Sequence, residues 1–228
     1  MTPPDTRLPA PVATDDNRQV ALAPGERMVL RSTMTSPYGR KVRIAADMLG
    51  LSDRIDIVDA STTDEHDTIR HQNPLGKIPC LLLPDGTPVF DSRVIIEFLQ
   101  ELAGSTQLIP ASGPARYRAL TGAALADGIT DAALLMVYDA RFRPGQPPAT
   151  LWLSHLRGKV ERGLAAFEAD PPDTVRPGIA AIGLACALGY LDWREPVEWR
   201  DGHPGLVDWL DALNAAAPAV PGSYVTAG

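Results

Sequence analysis

The chain has 228 residues, 45% hydrophobic and 21% charged, with a formal net charge of −7, which is globular composition and length enough for one large or two modest domains. An acidic surface excludes nucleic acid or an anionic membrane as the main partner, since both are held by clustered Lys and Arg. The two cysteines, Cys80 and Cys186, are far apart and form no C-x-x-C pair, which excludes a zinc ribbon and a dithiol redox motif.

Residues 1–26 are rich in Pro, Ala, Asp and Thr and poor in large apolar groups, so they are expected to form a flexible extension that buries too little to offset its ordering entropy. They show no basic-then-apolar leader pattern. Met28-Val29-Leu30 predicts a short strand. Ser36-Pro37 predicts a helix start, with Val42, Ala45, Ala46 and Leu49 at helical spacing and Gly50 at the stop. Ile55 to Val58 predicts a second strand and residues 64–71 a short irregular helix. Residues 80–83 and 88–90 flank Pro84-Asp85-Gly86 as a hairpin, and Ile95, Phe98, Leu99 and Leu102 mark a helix from near Asp91. This strand-helix-strand unit with a hairpin and covering helix is a compact α/β domain over residues 27–104.

Residues 105–114 carry prolines, glycine and polar groups and predict a linker. Beyond it strand signals stop. Residues 120–138, 151–167, 179–191 and 206–213 read as helices of an all-helical domain spanning 115–228, with Leu153, Leu156, Val160, Leu164 and Phe167 as one apolar stripe. The longest uncharged apolar run, residues 179–191, is too short to span a bilayer. Apolar surroundings of both cysteines predict buried, reduced thiols and, with no leader, a cytoplasmic location.

Three groups of residues could carry chemistry. Ser36, just before a helix start, reads either as a plain cap or as a hydroxyl beside an anion site, where helix N–H groups would favour a thiolate. Asn73-Pro74-Leu75-Gly76-Lys77-Ile78-Pro79 places Pro79 directly before a strand; this is a tight turn, or a cis bond that leaves the Ile78 backbone free to pair with an extended peptide. Asp91-Ser92 opens the next helix, as a cap or as a site for a carboxylate and an ammonium on one α-carbon. His66, His71, His155 and His203 show no metal-ligand spacing, so no metal is expected.

In this order the three groups resemble the thioredoxin-like domain of glutathione transferases. The stretch Thr35-Ser36-Pro37-Tyr38-Gly39-Arg40-Lys41-Val42-Arg43 is similar to the bacterial serine-type members and, more distantly, to the zeta and omega classes. Residues 125–129 and 189–194 resemble the family's helical domain. The resemblance implies an N-terminal thioredoxin-like domain followed by a C-terminal helical bundle, with glutathione as cosubstrate. Ser36 would activate its sulfur, Ile78 and Pro79 would present backbone to its cysteinyl unit, and Asp91 and Ser92 would hold the γ-glutamyl end. Lys77 would approach the glycyl carboxylate. Thr35, Tyr38, Asp127 and Tyr138 would line the electrophile site or a homodimer interface, with Asp131 on the same helix face as Asp127.

The implied reaction is thiolate attack on a small electrophile by conjugation, isomerisation or dehalogenation; the rival is a binding module of the same fold without turnover. A serine stands where omega-type proteins have cysteine, which points away from cysteine chemistry. Two features depart from the family pattern: Thr35 directly precedes Ser36, and Gly178 and Ala181 stand where a late core helix usually has Ser or Thr and then Asp. Gly178→Ser is therefore expected to stabilise that helix slightly. Thr35 beside Ser36 leaves two hydroxyls as candidates for the sulfur.

Overall fold

The computed structural model describes residues 21–223. Strand β1 (Met28–Ser32) lies parallel to β2 (Ile55–Asp59) and antiparallel to β3 (Cys80–Leu82), which pairs antiparallel with β4 (Pro88–Val89), in the order β2-β1-β3-β4. The period-2 alternation of strands divides the residues between two faces. Met28, Leu30 and Leu81 enter a core shared with Val42 and Ala45 of α1 (Pro37–Met48) and Ile95, Ile96 and Leu99 of α3 (Ser92–Leu102). Cys80 turns to the other face, with Ala60 and with Ile69 of α2 (Ile69–Gln72).

The helix expected over residues 64–71 starts later, at Ile69. Asp67 explains the delay: its carboxylate accepts from the Ile69 N–H at 2.8 Å, the Ser61 N–H at 2.6 Å and the Arg31 guanidinium at 2.9 Å. Residues before it are thereby drawn into turns. The two backbone hydrogen bonds hold the Asp67 carboxyl below the usual carboxylate range, with Arg31 adding to them.

Residues 1–20 of the expected flexible extension lie outside the described residues. Residues 21–26 depart from that expectation, being tied to the body. Leu22 packs on the core, and Arg54 donates to the carbonyls of Glu26 at 2.8 Å and Ala23 at 2.9 Å.

The second half is helical: α4 (Gly113–Phe142), α5 (Thr150–Ala169), α6 (Ile179–Arg194), α7 (Pro204–Ala216) and α8 (Ala219–Gly222). Every residue of α6 from Ala181 to Leu188 is buried, so α6 is the central rod. Of the expected α5 stripe, Leu156, Val160, Leu164 and Phe167 are buried, while Leu153, in the first turn, is only half-buried. Among the described helices α4 alone is long and apolar enough to cross a membrane by length and composition; one face of it, including Ala126, Ile129 and Ala133, is buried in the core it shares with α6 and α5.

The segment joining the two halves is pinned rather than loose. The Gln100 side chain donates to the Ile109 carbonyl at 2.8 Å and accepts from the N–H groups of Leu108 at 3.0 Å and Ile109 at 2.7 Å. The Leu108 carbonyl in turn accepts the Ile179 N–H at 3.0 Å, supplying from another segment the cap that Gly178 lacks.

That contact reverses the expected benefit of a serine. A Cβ on Gly178 would stand 2.9 Å from the Leu108 carbonyl oxygen, closer than real Cβ contacts come. Gly178→Ser is expected to destabilise the protein by about 1–2 kcal/mol, and urea denaturation of the variant measures it. A gain in stability would show that the linker yields at no cost.

Candidate functional site

The N-terminus of α1 is built by local chemistry. Ser36 is the N-cap in extended conformation and its Oγ accepts the Gly39 N–H at 3.1 Å, with Pro37 at the first helical position. Gly39 allows a close approach to β1, since a Cβ there would fall 1.9 Å from Ser32 Oγ. No acidic residue occupies the first turn, so the positive end of the helix is not neutralised locally. Ser36 is 8% exposed. Thr35 is exposed and its hydroxyl shares a hydrogen bond with Thr33 at 3.2 Å.

The Ile78–Pro79 peptide is cis. Asn73, 2% exposed, shapes the loop before it: its Nδ2 donates to the Lys77 carbonyl at 2.8 Å and its Oδ1 accepts the Leu75 N–H at 3.1 Å. Among the described residues the Ile78 backbone has no hydrogen-bond partner and lies outside the ladder of β3. Asp91 caps α3, its Oδ1 accepting the Arg93 N–H at 3.0 Å, and Ser92 is buried beside it. Thr35, Ser36, Tyr38, Lys77, Ile78, Pro79, Asp91, Ser92 and Tyr138 all line one open cleft of about 1720 Å³ between the sheet half and the helices.

Asp127 does not line this cleft. Its carboxylate is buried and bridges the two halves, accepting from Lys41 of α1 at 2.6 Å and from Arg93 of α3 at 2.8 Å. Asp131, one turn on, does face the cleft and accepts the Tyr38 hydroxyl proton. Burial first, then that hydrogen bond and charge, push the Tyr38 pKa far above the ordinary phenol value, so Tyr38 is a neutral donor at any physiological pH. Neither cysteine offers a thiolate: burial raises Cys80 to about 11 despite Arg31, and it raises Cys186 as well.

The helical wall carries groups that sequence reasoning missed: Arg141 and Phe142 beside Tyr138 on α4, and Tyr190, Trp193 and Arg194 on α6. A local signal existed. Tyr138, Arg141 and Phe142 have i, i+3, i+4 spacing and so share a helix face, and Tyr190, Trp193 and Arg194 repeat it. Ser36, Tyr190 and Trp193 also line a small recess of about 40 Å³ under the α1 N-terminus.

Comparison with known proteins gives a consistent picture. Residues 35–102 match the family model described as glutathione S-transferase, N-terminal domain, and residues 150–212 match the glutathione S-transferase, C-terminal domain. The uncharacterised GST-like protein YibF of Escherichia coli (strain K12) is 30% identical over 191 residues, covering 82% of this chain and 93% of that protein. A glutathione transferase family member from Pseudomonas fluorescens Pf-5, solved with bound glutathione, is 38% identical with a TM-score of 0.81, covering 88% of this chain and all of that one. A glutathione S-transferase from Methylobacillus flagellatus KT, solved with glutathione bound, is 34% identical with a TM-score of 0.79, over 87% of this chain and all of that one.

Proposed function

The chain belongs to the glutathione S-transferase family, and on that premise we propose that it binds glutathione along the sheet side of the cleft and activates its thiol for attack on a small electrophile. The observation that carries this reading is the Ser36 hydroxyl. Its oxygen already accepts the Gly39 N–H, so its own proton is free to donate to a sulfur placed at the α1 N-terminus. A hydrogen bond to a charged acceptor contributes about 1.5–3 kcal/mol, which lowers a thiol pKa by about one to two units. The thiol proton passes to water and the thiolate forms a C–S bond at the electrophilic carbon, either as a leaving group departs with its bonding pair or as a C=C π bond or epoxide C–O bond breaks and the freed pair takes up a proton from water.

The rest of glutathione has matching groups along the same wall. The unpartnered Ile78 backbone suits the extended cysteinyl unit. Ser92 and the α3 N-terminus suit the γ-glutamyl carboxylate, and the Asp91 oxygen not used for capping suits its ammonium. Lys77, exposed at the cleft edge, suits the glycyl carboxylate. Thr35 is the weaker candidate for the sulfur because it stands one residue before the cap, exposed and away from the converging N–H groups of the α1 N-terminus.

Millimolar glutathione is expected to raise the melting temperature by mass action, and Asp91→Ala with Ser92→Ala is expected to remove most of that rise. An unchanged melting curve for the wild-type chain would refute the binding reading. Binding without turnover across a panel of aryl halides, enones and epoxides would instead favour a binding module.

A further inference from the structure

The electrophile side of the cleft has a charge pattern of its own. Arg141 and Arg194 both lie on the cleft wall in the last turns of α4 and α6. Each guanidinium lies by an aromatic ring: Arg194 stacks 3.6 Å from the Trp193 centroid, and Arg141 lies at the longer distances of 5.4 Å from Phe142 and 5.9 Å from Tyr138. Stacking covers a guanidinium face and leaves its N–H edges available, the geometry that takes a carboxylate in a two-point grip. Among the described residues neither makes a salt bridge, although Arg31, Arg93 and Arg143 each face a carboxylate within 2.9 Å.

Both arginines share the cleft wall with Tyr190. Burial raises the Tyr190 hydroxyl, and the charge of Arg194, with a hydrogen bond from it, and the charge of Arg141 oppose that rise. Tyr190 in turn lines the recess shared with Ser36. A chain of net charge −7 thus keeps two cations without carboxylate partners on an aromatic wall next to the proposed sulfur site.

We propose that the electrophile carries a carboxylate on an aromatic or flat apolar body, the body lying on Trp193 and Tyr138 and the carboxylate held by Arg141 and Arg194. This rests on glutathione occupying the sheet side of the cleft, as proposed above. Arg93, in the same cleft, differs in that its Nε is paired with the Asp127 carboxylate, which offsets its charge.

The test compares two glutathione conjugates differing by one carboxylate, S-(4-carboxybenzyl)glutathione and S-benzylglutathione, by calorimetry on the full chain, and needs no turnover. The carboxylated conjugate should bind about tenfold more tightly at low ionic strength, the scale of a charge-assisted pair at a partly exposed site. That advantage should shrink with added salt and vanish in Arg141→Met/Arg194→Met. Retained binding of glutathione itself by that variant shows that its fold and glutathione site are intact. Equal affinities for the two conjugates in the wild-type chain, or a preference that survives in the double variant, would overturn the assignment. If neither conjugate nor glutathione binds, the glutathione reading fails and this inference falls with it.

Discussion

Ser36→Ala is expected to slow conjugation at pH 7 by about ten- to a hundredfold. The warrant is the single charge-assisted hydrogen bond that the Ser36 hydroxyl can donate while its oxygen accepts the Gly39 N–H. Removing it raises the pKa of the bound thiol by about one to two units. The sign follows directly: the thiolate is the reactive form, so its fraction at pH 7 falls, and the rate recovers as pH rises toward the new pKa. Glutathione affinity should change much less, because Ile78, Asp91 and Ser92 are untouched. A pH–rate profile of Ser36→Ala beside Thr35→Val checks this. Should the shift appear in Thr35→Val and not in Ser36→Ala, Thr35 would be the hydroxyl at the sulfur.

Asp127→Ala is expected to cost about 3–5 kcal/mol, the penalty for leaving a buried charge without its partner. The stranded charge is Lys41, whose side chain is 2% exposed and reaches Asp127 at 2.6 Å. Arg93 contributes less, because at 57% exposure water screens its half of the bridge. For a chain of this size the loss corresponds to about 6–20 °C in melting temperature. Lys41→Met with Asp127→Leu should recover most of it, since an apolar pair of similar volume leaves no orphaned charge. Thermal and urea denaturation of the single and double variants measure both numbers. A single-variant loss below about 1 kcal/mol would show that water reaches Lys41 and that the bridge is not a true interior pair. The same bridge holds α1 and α3, which carry Ser36 and Ser92, against α4, so a weaker response to glutathione is expected in Asp127→Ala even where the fold survives.

Much of this protein was decided over short stretches of chain. Ser36-Pro37 and Asp91-Ser92 were legible as helix starts because capping joins a side chain to an amide two or three residues away. The hairpin around Pro84-Asp85-Gly86, the stripe from Leu156 to Phe167 and the uncharged run of α6 were legible for the same reason: turn chemistry and periodicity are local. These elements in their order were enough to indicate the family.

The tertiary structure decided what depends on residues distant in sequence. Asp127, expected at the electrophile site or an interface, became the buried partner of Lys41, 86 positions away, because α1 packs against α3 and α6 and Lys41 is buried there with its ammonium against α4. Asp67 delayed α2 by taking the Ile69 and Ser61 N–H groups while an arginine on β1 anchors it, and Leu108 turned Gly178 from an improvable cap into a position without room for a side chain. Arg141 and Arg194 carried no site reading in the sequence until the fold placed the last turns of α4 and α6 on one cleft wall. Side-chain periodicity states which face of an element is apolar, but not which charges the packing of two such faces will strand, pair or leave open to a ligand.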